Sequence, residues 1–233
     1  MVVEVGGPDE RETICMAQLF HPSMKVISRA SIVVALIVLS ALSWATVEIY
    51  EAGYTTGVNV PRIQPIPFSH EHHVGGLGIS CEYCHTSVEQ SPFAGIPPTY
   101  TCMTCHSQIW NTSPLLAPVR ESYRTNMPLH WIRVNDLPDF VYFDHSIHIH
   151  KGIGCVTCHG RVDHMPLLRK QNTLLMKWCL DCHRQPERYI RPRAEVLNMD
   201  WVPTGDQLTL GRRLVREYDV RVKRISDCST CHR

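Results

Sequence analysis

The most apolar stretch of the chain lies near its N-terminus, at residues 30–47. Two basic residues precede these 18 uncharged residues and two acidic residues follow them. At about 1.5 Å per residue, a helix of this length extended by its apolar flanks crosses the hydrocarbon core of a bilayer. The basic residues predict a cytoplasmic N-terminus and export of the remainder of the chain. We therefore predict an N-terminal cytoplasmic segment at residues 1–25 and a transmembrane signal anchor at residues 26–50.

A cleaved signal peptide is the alternative interpretation of the same stretch. The apolar run is longer than a usual signal-peptide core, and the bulky Trp44 disfavours a small-residue cleavage site beside it. We therefore expect the anchor to be retained. The first 15 residues are polar and aperiodic, so Met16 and Met24 are alternative starts, and Cys15 has no evident partner.

Beyond the anchor, apolar positions follow only short periodic patterns. Ten prolines between residues 61 and 138 exclude long helices there. Helical spacing of apolar residues predicts helices over 174–184 and 207–218. The pattern predicts a mainly α and irregular exported domain at residues 51–233.

Ten of the 11 cysteines fall in five copies of Cys-x-x-Cys-His. This pentapeptide is typical of c-type haem attachment, in which both sulfurs form thioethers and the histidine ligates the iron. The candidate thioether residues are Cys81, Cys84, Cys102, Cys105, Cys155, Cys158, Cys179, Cys182, Cys228 and Cys231. The candidate axial ligands within the motifs are His85, His106, His159, His183 and His232. Five c-type haems and a multihaem cytochrome c fold are therefore predicted, with short helices and loops wrapped around the porphyrins.

Other uses of Cys-x-x-Cys fit this pattern less well. Zinc ribbons use such units in pairs, and an odd number of units does not pair. A redox dithiol needs one motif in a βαβ context, and a disulfide framework gives no reason for a histidine after every second cysteine.

The motifs are organised by an internal repeat. F-x-H-x-x-H, a glycine-containing turn and two motifs occur first at about residues 66–110 and again at about 141–190, and a single motif follows at about 205–233. Two histidines three residues apart share one side of a helical turn while pointing to different neighbours. The predicted distal ligands of four bis-histidine haems are therefore His70, His73, His145 and His148.

The distal ligand of the fifth haem is less constrained by the sequence. Met165, just after the third motif, is the preferred candidate, because a thioether ligand would give one haem a higher reduction potential. The alternatives are His164, Met176 and Met199, with His72, His130 and His150 further away.

The charge of the chain narrows the choice of partners. Its 23 basic and 22 acidic side chains give a net charge of +1, which argues against nucleic acid as a partner. Ten haem propionates would make the holoprotein acidic. Arginines are available to pair with them after the fourth motif and before the fifth, including Arg191 and Arg193.

Four stretches of the chain carry a family resemblance. They are MAQLFHPSMKVISRASIVVALIVL, FSHEHHVGGLGISCEYCHTSVEQSPFAGIPPTYTCMTCHSQIW, LPDFVYFDHSIHIHKGIGCVTCHGRVDHMPL and LLMKWCLDCHRQPERYIRP. Over nearly all of residues 16–233, the chain resembles the membrane-anchored pentahaem cytochrome c subunit of bacterial alternative complex III, a quinol:electron acceptor oxidoreductase. The resemblance implies an electron-transfer subunit in the bacterial inner membrane, with its haem domain on the periplasmic side. The implied partners are an iron–sulfur subunit, polytopic quinol-binding subunits and a monohaem cytochrome c, with a soluble carrier or a terminal oxidase as acceptor.

Two other functions are compatible with a haem-bearing, anchored chain. A self-sufficient quinol dehydrogenase of the NapC/NrfH type holds its first haem close to the membrane, whereas Cys81 lies about 30 residues beyond the anchor. A multihaem reductase needs an iron with an open position, and this chain has histidines and methionines to spare. We therefore expect an electron-conducting subunit that is not catalytic alone.

Overall fold

A computed structural model describes residues 21–232 of the chain. The protein divides into two units, one ending at Tyr50 and one beginning at Glu51. The predictions for residues 1–20, including Cys15 and a start at Met16, lie outside the described residues.

The N-terminal helix, α1, spans Ser23–Glu51 and has no buried residue. It is long and apolar enough to cross a membrane. Its 29 residues correspond to about 43 Å, which exceeds the roughly 30 Å of a bilayer core. The helix begins three residues before the predicted anchor at residues 26–50 and ends one residue after it.

The larger unit, which begins at Glu51, consists of short helices joined by loops. Its α-helices are α2 Gly53–Thr56, α3 Cys81–Cys84, α4 Thr99–His106, α5 Ala117–Thr125, α6 His145–His150, α7 Cys155–His159, α8 Met176–Arg184, α9 Gln207–Glu217, α10 Val222–Ile225 and α11 Cys228–Cys231. A π-helix spans Glu71–Gly76, and 3₁₀ turns span Pro114–Leu116, Val162–His164, Pro186–Arg188 and Arg193–Glu195. The helices predicted at residues 174–184 and 207–218 are found as α8 and α9, each within two residues of its predicted bounds.

The part of the chain that the structure describes contains isolated β-bridges and no strand. The bridges join Val58 to Lys170, Pro61 to Arg169 and Ile153 to Ile190. The first two connect the segment just after α1 to the segment between the third and fourth motifs. The predicted helical and irregular fold class is therefore confirmed.

Two small apolar clusters hold the larger unit together. One contains Ile190, Leu214 and Tyr218 and forms where α9 packs on the turn Pro186–Arg188. This approach is close, because a Cβ atom on Gly211 of α9 would overlap the carbonyl of Glu187. Clusters of this size leave most apolar side chains of the unit outside a protein core.

The other cluster joins distant parts of the sequence. It contains Val88 from the loop after the first motif, Ile149 from α6 and Val196, with Cys155 of the third motif packed against them. The two F-x-H-x-x-H units therefore contact each other through a shared apolar patch.

Candidate haem-binding site

The cysteines of each Cys-x-x-Cys-His motif lie on a short helix: α3, α4, α7, α8 and α11. In α4, α7 and α8 the helix includes the motif histidine, and positions i, i+3 and i+4 of a helix share one face, so both sulfurs and the imidazole point the same way. In α3 and α11 the helix ends at the second cysteine, and the histidine follows directly. None of the ten motif cysteines forms a disulfide in the described structure, and none is fully buried. Each motif thus presents two thiols and one imidazole to one adjacent space.

The structure brings three of the four predicted distal histidines to a motif histidine. The imidazole centroids of His73 and His106 are 6.2 Å apart. The corresponding distances are 6.3 Å between His145 and His159 and 6.1 Å between His148 and His183. The fourth predicted distal histidine, His70, is close enough to His85 for the charge of His85 to contribute to lowering its pKa.

These centroid distances fit a metal ion between the rings. An imidazole nitrogen binds a transition metal at about 2 Å, and the ring centre lies about 1 Å behind that nitrogen. Two imidazoles on opposite sides of one iron would therefore have their centroids about 6 Å apart. Directly stacked rings prefer shorter separations, near the lower end of about 4.5–7 Å. The residues present therefore fit a haem iron at each of the three measured pairs.

Hydrogen bonds at Nδ1 leave Nε2 as the metal-binding atom of most of these histidines. Nδ1 faces a backbone carbonyl in seven of the nine candidates, which fixes the tautomer and ring orientation as in other metal sites. The acceptors, in order of the histidines, are Ser69 for His73, Gly95 for His85, Ile109 for His106, Pro92 for His145, Asp144 for His148, Ile225 for His183 and Phe140 for His232.

The remaining two candidates differ from this pattern. The side-chain amide of Asn135 lies 3.0 Å from Nδ1 of His159. When Nε2 of His159 binds a metal, Nδ1 carries the proton, so the amide would then present its oxygen. Nδ1 of His70 is buried and has no hydrogen-bond partner among the described residues.

Burial keeps several of these imidazoles neutral. Desolvation, followed by the charges of His85 and His73, lowers the pKa of His70 to about 4. Desolvation, followed by the charges of His145, His85 and His70, lowers the pKa of His159 to about 4. A neutral imidazole is the form that ligates a metal, so both residues are in the competent state at neutral pH.

Burial raises the pKa of thiols in both F-x-H-x-x-H units. Desolvation raises the pKa of Cys155 to about 11, that of Cys182 to about 11 and that of Cys158 to about 12. Desolvation also raises the pKa of Cys81, Cys84, Cys102 and Cys179. These thiols therefore favour the neutral form in a largely apolar setting.

Apolar side chains next to the motifs are exposed in the described structure. Among them are Phe93, Ile109, Trp110, Ile147 and Met176, each more than half exposed. Each lies within eight residues of a motif or of a candidate distal histidine. A porphyrin would cover such side chains, so the apolar surface also fits the predicted group.

The local sequence explains how each distal pair is presented. In the second F-x-H-x-x-H unit, the carboxylate of Asp144 caps α6 by accepting from the backbone N–H groups of Ser146 and Ile147. In the first unit, the hydroxyl of Ser69 accepts from the backbone N–H of His72 at the start of the π-helix. A glycine with positive φ ends each turn, Gly78 in the first unit and Gly152 in the second.

The fifth motif histidine has different surroundings. His232 stacks on Phe140, with centroids 5.9 Å apart, and its neighbour Cys231 accepts a hydrogen bond from Tyr142. Met165 is 1% exposed, and its backbone oxygen accepts from Glu71 of the first unit. Met165 as the ligand opposite His232 therefore stays a prediction.

The alternative ligands have their own surroundings. His164 lies beside Arg161, and His72 stacks on Trp110. Met176, on α8, is 65% exposed, whereas Met199 is half-buried. His130 and His150 are both exposed.

Arg191 is a buried cation beside the third motif. It is 6% exposed, its guanidinium lies 4.8 Å over the ring of Trp201, and it donates to the backbone oxygen of Asn198. Desolvation lowers its pKa. The guanidinium packs against Gly154, where any Cβ atom would collide with it. Arg193 instead lies over Tyr218, 4.2 Å from the ring centroid.

Sequence reasoning missed the groups that orient the ligands. The backbone carbonyl that binds Nδ1 of His183 belongs to Ile225, 42 residues later, and the sequence of the motif does not identify it. Asn135 precedes His159 by 24 residues and gives no local signal. The phenylalanine of F-x-H-x-x-H was visible in the repeat, but its role depends on ring geometry.

Comparisons with known proteins agree with the haem interpretation. Residues 141–233 match the family described as cytochrome c7 and related cytochrome c. A protein named "Menaquinone reductase, multiheme cytochrome c subunit", from Nitratidesulfovibrio vulgaris (strain Hildenborough), is 38% identical over 97 residues. The match covers 41% of this chain and 45% of the relative, so the chain spans less than half the length of that protein. From residue 141 onward, the chain is thus similar to the multihaem cytochromes c, as the motifs predict.

Proposed function

We propose that this chain is an electron-transfer subunit of a membrane complex that oxidises quinol, and that it carries electrons through five covalently bound c-type haems. The observation that carries the proposal is the set of paired imidazoles, with centroids 6.1–6.3 Å apart at the three measured pairs. When bound, each haem supplies a one-electron couple between ferric and ferrous iron.

The roles proposed for the chain's residues follow from that pairing. The ten motif cysteines would attach the haems, and the five motif histidines would each ligate one iron. Four of the haems would be held by a motif histidine together with a second histidine: His85 with His70, His106 with His73, His159 with His145 and His183 with His148. Met165 is the proposed ligand opposite His232. Two strong ligands on an iron leave no open position for a substrate, which favours conduction over catalysis.

The need for partners follows from the number of membrane-length apolar helices, which is one in the part of the chain that the structure describes. Oxidation of quinol releases two electrons and two protons, and each haem accepts one electron. One helix does not enclose a quinol site, so polytopic subunits are proposed to bind the quinol. An iron–sulfur subunit and a monohaem cytochrome c are the further proposed partners, as in alternative complex III. The anchor is proposed to cross the bacterial inner membrane once, with the haem domain on the periplasmic side.

The name of the relative favours a second direction of flow. That protein is called a subunit of a menaquinone reductase, which delivers electrons to a quinone. Haems conduct in both directions, and the potentials of donor and acceptor decide which one operates. The second candidate function is therefore conduction toward menaquinone in a related complex.

The test is to purify the intact complex in mild detergent and follow the haem absorbance. With the first function, added quinol reduces the haems rapidly, and co-purifying chains include the quinol-binding subunits. With the second, a reduced donor reduces the haems and added menaquinone reoxidises them. Quinol oxidation by this chain alone, without other subunits, would overturn the proposal in favour of a self-sufficient dehydrogenase. Cyanide or nitrite binding to a high-spin haem would favour a reductase.

A further inference from the structure

One phenylalanine contacts both distal histidines in each F-x-H-x-x-H segment. The ring of Phe68 meets His70 edge-on at 4.9 Å and 88° and lies over His73 at 4.4 Å and 23°. The ring of Phe143 meets His145 at 4.7 Å and 89°. It lies over His148 at 4.6 Å and 29°. The two units therefore hold their distal imidazoles in almost the same way.

The second distal histidine of each unit is also anchored identically. Nδ1 of His73 donates to the carbonyl of Ser69 at 2.8 Å, and Nδ1 of His148 donates to that of Asp144 at 2.6 Å. Both acceptors lie four residues before the histidine. With the ring stacked on one side and its nitrogen anchored, the plane of each imidazole is fixed.

The motif histidines facing these distal rings are oriented differently. The planes of His73 and His106 cross at 69°. In the second unit, the angle is 31° between His148 and His183. Since the distal rings match, the difference comes from the motif histidines and their hydrogen-bond acceptors.

The acceptors of the motif histidines differ between the units. His106 donates to Ile109, three residues later in the same loop, at 3.2 Å. His183 donates to the carbonyl of Ile225, the last residue of α10 and 42 residues away, at 2.7 Å. The crossed ring of His106 is thus bound to a local acceptor, whereas the more nearly parallel ring of His183 is bound to an acceptor in α10.

The angle between two axial imidazoles affects the iron between them. Each ring donates π-electron density to an iron d orbital whose direction follows the ring plane. Parallel rings raise the same orbital, which separates the d orbitals and favours the ferric state. Crossed rings raise two orbitals equally, which leaves them nearly degenerate. Crossed rings therefore give a strongly anisotropic ferric signal and a higher reduction potential than parallel rings.

We propose that the haem between His73 and His106 is electronically distinct from both haems of the second unit, and that Phe68 and Phe143 are the positioning residues for the ligand planes. The pair His145 and His159, at 6°, is the most nearly parallel of the three measured. The haem of this pair has a lower reduction potential than the haem between His73 and His106, and it gives a rhombic electron paramagnetic resonance signal. The crossed pair, His73 and His106, gives a strongly anisotropic low-field signal. This inference rests on the proposed bis-histidine ligation.

Electron paramagnetic resonance of the oxidised holoprotein, followed through a reductive titration, tests the inference. We expect a low-field low-spin signal that disappears at a higher applied potential than the rhombic signals. Only rhombic signals, or the reverse order of reduction, would overturn it. A high-spin signal in the wild-type protein would instead contradict the bis-histidine ligation of the proposed function.

Variants assign the signals to the two units. Phe143→Leu removes the ring and should shift the rhombic signals, while the low-field signal stays unchanged. Phe68→Leu should shift the low-field signal, while the most rhombic signal stays unchanged. Phe143→Tyr and Phe68→Tyr keep the rings and are expected to give the wild-type spectra. Spectra unaffected by both leucine variants, or the same signal shifted by both, would contradict the assignment. If the leucine variants yield too little holoprotein, the tyrosine variants and the wild-type titration still decide the order of potentials.

Discussion

In the first F-x-H-x-x-H unit, His73 lies in a π-helix, Glu71–Gly76, and His70 directly precedes that helix, whereas both histidines of the second unit lie in an α-helix, His145–His150. Phe68 and Phe143 nevertheless hold their histidine pairs at ring distances that agree within 0.2 Å. The surroundings of the units diverge, because the second unit is backed by the cluster of Ile190, Leu214 and Tyr218. The repeat thus duplicates the contacts between the phenylalanine and the two histidines that follow it, whereas the C-terminal cluster packs beside the second unit.

Removing one distal ligand from each unit gives the largest expected effect. His148→Ala and His73→Ala should each convert one haem per chain from low-spin to high-spin, because the iron loses its second strong ligand. Absorbance spectra and cyanide binding measure this conversion. His72→Ala, at a histidine that stacks on Trp110 instead of a motif histidine, is the control and should bind no cyanide. Unchanged low-spin spectra in both distal variants would contradict the pairing.

Alanine substitutions of Gly78 and Gly152 distinguish the cost of backbone strain from the cost of steric overlap. Both have positive φ, so Gly78→Ala should cost about 1–2 kcal/mol of the free energy of unfolding. A Cβ atom on Gly78 meets nothing within 4 Å, whereas one on Gly152 would overlap the carbonyl of Arg191. Gly152→Ala should therefore cost a further ~1–3 kcal/mol from overpacking. Urea unfolding of the holoprotein measures both losses of free energy of unfolding. Equal losses would show that the second F-x-H-x-x-H unit is no more tightly packed against its neighbours than the first.

The helix caps of the two units differ in charge. Asp144→Ala should cost about 1 kcal/mol of the free energy of unfolding, and Ser69→Ala less, because a charged acceptor makes the stronger bond. A hydrogen bond from Ser146, followed by the backbone N–H groups, lowers the pKa of Asp144 in the folded chain. The stability from its charge is thus fully present above the unfolded pKa of about 4 and is lost as pH falls through the folded value.

Asp144→Asn is the matched control for this pH dependence, because asparagine caps a helix without titrating. The free energy of unfolding of the wild type minus that of Asp144→Asn should shrink as pH falls toward 3. A difference that does not change with pH would mean that the charge contributes nothing.

The smallest expected effect is at Asn135. Asn135→Leu removes the polar partner of Nδ1 of His159. Loss of an acceptor at Nδ1 lowers the basicity of the imidazole, so the reduction potential of that haem should rise slightly. Spectroelectrochemistry measures the shift, and Asn135→Asp, which keeps an acceptor, should not raise the potential. A rise in both variants would exclude the hydrogen bond as the cause.

Features with a local origin were predictable from the sequence. The apolar helix α1 follows from an apolar run, and α8 and α9 follow from helical spacing of apolar residues. The positions of His73, His145 and His148 beside motif histidines follow from the repeat. Their role as distal ligands stays a prediction, as does that of His70. The approach of His183 to Ile225 and of His159 to Asn135 was not predictable, since these contacts depend on how loops distant in sequence pack together. For the same reason, no local pattern identifies the partner of His232.

The intact mass of the denatured, exported chain is the most direct test of five covalent haems in two paired units and one single site. The account predicts a mass equal to that of the polypeptide plus five haems, with one haem on each motif peptide after digestion. Any other number of haems, or a motif peptide without one, would contradict it.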